Sequence, residues 1–223
     1  SYGLLNLTHR NSSENPEFLQ PGETYSIKVQ LNEAGHSFGV GNRIRIAISS
    51  IYWPIAWPSP ERATLTISKS NNKIILPTRP TRTSDTTLVP FSEPECARPL
   101  DKTIVRAPEY KWDTNRDMIT GIVTQHQWFD EGETIYNIHD GWTVSSTHDE
   151  YMSIHPDYPL SAKVDITWCE FYKRGAWQVS STTHTVVTST ETHFHIEAEL
   201  EARQGEELVH SETWSQDFPR NHN

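Results

Sequence analysis

The sequence predicts an all-β protein built from antiparallel strands, and three observations predict it. Apolar residues recur with period two on both sides of a proline-rich stretch; Gly, Pro and Asn punctuate the runs; and no window carries the 3.6-residue periodicity of an amphipathic helix.

The first alternating run is "TYSIKVQL", where Tyr25, Ile27, Val29 and Leu31 interleave with Ser26, Lys28 and Gln30. In "NRIRIAIS", Ile44, Ile46 and Ile48 alternate with Arg43, Arg45 and Ala47, and "ATLTIS" repeats the pattern with Leu65 and Ile67. Such runs bury one face and wet the other, as half-buried antiparallel strands do. From residue 121 onward the runs lengthen: "GIVTQHQWF", "TIYNI", "WTVSST", "AKVDITWCEFY", "AWQVSSTTHTVVTST", "HFHIEAELEA" and "ELVHSETW". "KRG" (173–175) and "RQGEE" (203–207) read as hairpin loops, each with a Gly able to take positive φ. "EAELEARQGEEL" has helix-prone composition, but its apolar residues keep a period of two from Phe194 to Leu200, which predicts a strand.

Between the two groups of runs, Pro77 to Pro108 holds six prolines and little periodicity. Proline fixes φ and lacks a ladder donor, so this stretch predicts a surface connector. The expected organisation is therefore residues 1–80, a connector over 81–107 and a second unit over 108–223. Charge changes at the same place. Residues 1–100 carry 10 basic and 8 acidic groups, a net of +2, whereas residues 101–223 carry 9 and 21, a net of −12.

A total charge of −10 argues against nucleic acid or an anionic membrane as partner. No apolar run approaches the ~18 residues of a spanning helix. Cys96 and Cys169 are too few for a disulfide framework and wrongly spaced for zinc, so two free thiols in a reducing, cytoplasmic setting are expected. No cofactor is expected. The opening "SYGLLNLTHR" has no initiator Met and reads as part of a longer protein.

Gly35-His36-Ser37-Phe38-Gly39 spells G-x-S-x-G, the nucleophile elbow of serine hydrolases. An elbow is a strained turn from a buried parallel strand into a helix. Here the half-polar "TYSIKVQL" precedes it and the alternating "VGNRIRIAISS" follows. The stretch therefore reads as a Gly-rich turn between antiparallel strands, and no catalytic residue is expected in this chain.

The N-terminal third carries a resemblance. "GLLNLTHR", "PGETYSIKVQL" and "GNRIRIAISSIYWPIAWPSP" resemble, in order and spacing, the C-terminal β-domain of cocaine-esterase-like (CocE/NonD) hydrolases, also found in bacterial X-Pro dipeptidyl-peptidases. The matching positions include Gly3, Asn6, Thr8, His9, Arg10, Pro21, Gly22, Tyr25, Gly41, Arg43, Arg45, Trp53, Pro54 and Pro58, and cover roughly residues 1–80. The resemblance implies a partial jelly-roll of the X-Pro dipeptidyl-peptidase C-terminal type, a galactose-binding-like sandwich incomplete at its N-terminus. It also implies an α/β-hydrolase domain of the parent chain as partner, with a second copy as a further candidate. Residues 108–223 look similar to an extension carried by some members, which ends in a pattern present here as Thr213, Trp214, Pro219 and Arg220.

Interface or ligand-contact candidates are His9, Arg10, Trp53, Pro54 and Trp57. Exposed aromatics such as Trp53 and Trp57 could stack on a sugar, which keeps a stand-alone carbohydrate- or small-ligand-binding module as the alternative. Domain packing is the commoner use of such a loop. His193, His195, Glu197, Glu199 and Glu201 share a strand face, and His-x-His beside a carboxylate is how some β-barrels hold a divalent metal. That reading needs a further ligand from a neighbouring strand, for which His184 and His210 are available; a solvated polar face is the simpler expectation, with no metal. Asp113, Asp117, Asp130, Glu131 and Glu133 could supply paired carboxylates but read as scattered acidic positions.

Overall fold

The computed structural model describes residues 1–138 and 140–222. Its regular structure is all-β. Eight strands follow in chain order: β1 (Lys102–Arg106), β2 (Glu109–Arg116), β3 (Val123–Tyr136), β4 (Trp142–His155), β5 (Tyr158–Arg174), β6 (Trp177–Ser189), β7 (His193–Gln204) and β8 (Glu207–Pro219). They form one open antiparallel sheet in the order β1-β3-β4-β5-β6-β7-β8, with β2 also pairing β3. Consecutive strands are neighbours because tight hairpins leave no room for a crossover. Gly175 and Gly205, both at positive φ, turn the β5–β6 and β7–β8 hairpins at the loops expected from sequence.

β1 and β2 share one edge of β3. β1 pairs with its C-terminal half and β2 with its N-terminal half, and the pairing of β3 shifts register between Asp130 and Glu133. Gly132, inside that bulge, sits at φ +75° and leaves no space for a Cβ against the Arg106–Pro108 backbone. Only glycine lets β1 leave and β2 enter there without strain. The Asp130 carboxylate fixes the bulge by accepting the Gly132 N–H at 2.8 Å and pairing with the Arg106 guanidinium.

β1 lies inside the stretch predicted as connector, and β2 is absent from the predicted runs. Both are edge strands exposed along most of their length. "EYKWDTNR" is too polar for alternation to reveal it, and its pairing depends on β3 across the ladder rather than on its own residues.

Residues 1–100 differ. Their regular elements are two single 3-10 turns, Leu7–His9 and Thr83–Thr86. The runs at 25–31, 43–49 and 63–68 join no ladder, although alternation predicts strands there. Alternation reports which side chains would share a face; a strand also needs a neighbour to take its backbone groups. The regular structure is thus all-β, and its eight antiparallel strands form the second sheet unit expected after the connector. Ala162, at 1% exposure, and Pro58 are the buried apolar side chains among the described residues.

Pairing fixes the two faces of the sheet, since directly opposed residues point the same way. One face carries Lys111, Asp113, His126, Asp149, Asp165, His184, Glu199 and Asp217. The other carries the aromatic row Tyr110, Phe129, His148 and Trp168, flanked by apolar residues such as Ile166, Val187, Ile196 and Leu200. The row is continuous, with centroids 5.8, 4.6 and 4.5 Å apart across successive strands.

Candidate functional site

The most enclosed polar cluster joins the N-terminal segment to the far end of the sheet. Hairpin β6–β7 brings Ser189 and Phe194 side by side, and the exit of β8 delivers Arg220 beside them. Arg220 is 6% exposed and Ser189 7%. The guanidinium donates to Ser189 Oγ at 3.0 Å, to the Thr190 carbonyl at 3.0 Å and to the Pro58 carbonyl at 2.6 Å. It also lies over the Phe194 ring, 4.7 Å from the centroid. Burial pulls the Arg220 pKa down, and these acceptors compensate the desolvated charge.

Trp57 completes the cluster from the other side. Its indole N–H donates to Ser189 Oγ at 3.0 Å, and its ring meets Phe194 edge-on at 5.5 Å and Trp53 at 5.0 Å. Trp57 and Pro58 thus dock on the β6–β7 turn and on the strand end that carries Arg220. A second contact runs parallel: Asn6 Nδ2 and Thr8 Oγ1 each donate to the His222 carbonyl at 2.6 Å, and Phe18 stacks on the His222 ring at 4.3 Å. Trp53 Nε1, Arg220 Nε and His222 Nδ1 are buried there without a hydrogen-bond partner.

The remaining candidates fall in different places. Arg10 stays within the N-terminal segment, donating to the carbonyls of Leu7 and Glu17 and lying 4.5 Å over the Tyr25 ring. His9 closes the Leu7–His9 turn through its own N–H to the Asn6 carbonyl. Pro54 lies between Trp53 and Trp57 in the same loop. Ser37 lies in a segment without helix or ladder; a turn closed by the Asn42 N–H on the Gly39 carbonyl follows it, and no histidine hydrogen-bonds its hydroxyl among the described residues. The strand-to-helix geometry of an elbow is missing there.

His195, Glu199 and His184 do share a face, with His184 directly opposite Glu199. His210 does not join them, because its partner is Ala202 on the other face. His195 bonds Asp217 at 2.5 Å, His184 bonds Asp165 at 2.8 Å and His193 bonds Thr192 at 2.9 Å. Among the described residues no three such side chains converge on a common point for a metal. Four of the five acidic candidates are spent locally: Asp113 on Lys111, Asp117 on the amides of Ile119 and Thr120, Asp130 on Arg106, and Glu131 on the Tyr110 hydroxyl; Glu133, opposite Ser145 across the ladder, stands alone among the described residues. Cys96 and Cys169 are free thiols. Sequence reading reaches Arg220 only as part of a terminal pattern, and Ser189 not at all; a lone Arg after Pro at a strand end was the available signal.

Residues 1–87 match the family model of the X-Pro dipeptidyl-peptidase C-terminal non-catalytic domain. Trp57 and Pro58 lie within the matched stretch, whereas Ser189, Phe194 and Arg220 lie outside it. No curated protein matches the chain, and no solved structure does. No helix among the described residues is long and apolar enough to cross a membrane.

Proposed function

We propose that this chain is the non-catalytic C-terminal β module of a CocE/NonD-type serine hydrolase, an esterase or X-Pro dipeptidyl-peptidase. Its work is mechanical: it packs on the α/β-hydrolase domain of the parent chain, stabilises it and shapes the approach to its active site. The match of residues 1–87 to a non-catalytic domain carries this reading. The local pairing of Asp113, Asp117, Asp130 and Glu131 and the absence of an elbow around Ser37 support it. Hydrolysis in the parent would proceed through an acyl-enzyme on residues outside this chain.

A sugar-binding platform is the weaker reading. Trp57, the aromatic that reading relies on, is committed through its N–H to Ser189 Oγ and edge-on to Phe194 and Trp53, so the Trp53–Trp57 pair is packed into the junction rather than laid out for a pyranose. Assay of the chain on p-nitrophenyl esters and X-Pro amides tests the proposal. No turnover is expected, and Ser37→Ala leaves that result unchanged; turnover abolished by Ser37→Ala would refute it. Added to its α/β-hydrolase domain, the chain is expected to raise that domain's melting temperature.

A further inference from the structure

We propose that the junction between the N-terminal segment and the sheet is an anion site, in which Arg220, Ser189 and Trp53 hold one small monovalent anion of the chloride class. The inference does not depend on the hydrolase reading.

A count of donors carries it. A guanidinium has five N–H donors and keeps its charge at any ordinary pH. Arg220 uses three of them: Nη1 donates to Ser189 Oγ and to the Thr190 carbonyl, and Nη2 donates once, to the Pro58 carbonyl. The second Nη2 hydrogen and the Nε–H are left over, and Nε is buried without a partner. Ser189 adds another donor. A hydroxyl accepts twice and donates once, and Trp57 Nε1 and Arg220 Nη1 fill both accepting positions at 3.0 Å. Among the described residues no acceptor takes the Ser189 proton. Trp53 Nε1 is also buried without a partner, on a ring 5.0 Å from that of Trp57. His222 Nδ1 lies in the parallel contact at Phe18 and donates or accepts according to its tautomer, so it is not counted as a donor. Buried polar groups are seldom left unpaired, because each loses its hydration for nothing in return.

Charge and size select the occupant. The three acceptors of Arg220 are all neutral, and no carboxylate pairs with it among the described residues. Asp217, the acid closest to it along the chain, bonds His195 instead. A buried cation without a counter-charge is costly, and one negative charge removes that cost. An anion also accepts from several donors at once, whereas a water brings two protons of its own that need acceptors. Arg220 and Ser189 are 6% and 7% exposed, so Trp57, Pro58 and Phe194 enclose the site and leave no entry for a phosphate ester or a peptide. Occupancy would fasten the matched segment to the sheet, with a stabilisation that grows as the ion exceeds its dissociation constant.

Chloride NMR line width on the 223-residue chain tests the proposal. Sodium isethionate, a bulky sulfonate, keeps ionic strength constant, so that screening of the net charge of −10 does not vary. The chain is expected to broaden the chloride line saturably, and bromide to reverse the broadening by competition. Trp53→Phe keeps an aromatic ring and removes one donor, and should weaken chloride about 10-fold. Arg220→Ala should abolish the effect, with far-UV circular dichroism checking that the sheet persists. In the unaltered chain, exchanging isethionate for chloride should slow proteolysis of the 53–58 loop and raise the melting temperature. No broadening, or a melting temperature indifferent to the exchange, would overturn the proposal and leave these donors to water. Equal broadening by the unaltered chain and by either variant would mean an adventitious ion only, and would overturn it as well.

Discussion

Residues 1–87 and residues 102–219 invert each other. The first region matches a family model and forms no sheet of its own; the second matches nothing and forms the whole sheet. Both alternate with period two. What separates them is backbone closure. Each of β3 to β7 has a hydrogen-bonded neighbour on both sides, delivered by a tight hairpin a few residues away. The runs at 25–31, 43–49 and 63–68 find none along the chain, and contact with the sheet is made instead by loop residues such as Trp57 and Pro58. A recognisable motif and a self-sufficient structure are thus different properties of a sequence. The motif records which residues a fold needs, and the ladder records whether its neighbours are at hand.

The comparison breaks most sharply at Arg220. Arg220→Ala removes three charge-assisted hydrogen bonds and leaves Pro58 and Thr190 carbonyls under-satisfied. It should cost about 3 kcal/mol at the junction and release the 53–58 loop to protease, while the far-UV spectrum of the sheet persists. Urea titration followed by limited proteolysis reads both effects; a protected loop in the variant would mean that the two regions are held together elsewhere.

Gly132→Ala acts on the sheet region alone. It forces positive φ on a residue with a Cβ and pushes that Cβ into the Arg106–Pro108 backbone, so a loss of about 2 kcal/mol is expected, with β1 and β2 splayed from β3. Denaturant unfolding measures the loss, and amide exchange in 102–116 locates it.

The smallest effect sharpens the contrast through pH. Partial burial raises the Asp165 pKa, but hydrogen bonds from Lys163 and His184, each at 2.8 Å, outweigh it and hold the carboxyl below its ordinary value. A depressed folded-state pKa stabilises above the unfolded value of about 3.9 and loses that contribution as pH falls through the lower folded value. Melting temperature should therefore drop below about pH 4, with a contribution from this half-exposed cluster of no more than about 1 kcal/mol. Asp165→Asn should melt lower at neutral pH and show a shallower acid decline. An unchanged acid profile would remove Asp165 from the account.

Much of the sheet was legible from residues alone. Thr- and Val-rich β6, the glycines at 175 and 205 and the alternation of β7 each state their structure locally. β1 and β2 were not legible, because an edge strand of mixed polarity is defined by the partner it pairs with. The site was half legible: the Trp-Pro loop shows itself by composition, but its partner is an arginine more than 160 residues away in a polar terminal stretch. No local pattern predicts that a Ser at the end of one strand, a Phe at the start of the next and an Arg beyond the last will converge.

Backbone amide hydrogen exchange on the 223-residue chain tests the difference between the two regions most directly. Slow exchange is predicted for β4, β5 and β6, paired on both sides, and fast exchange for residues 25–31, 43–49 and 63–68. Equal protection of the Ile44–Ile48 amides and those of β5 would contradict it.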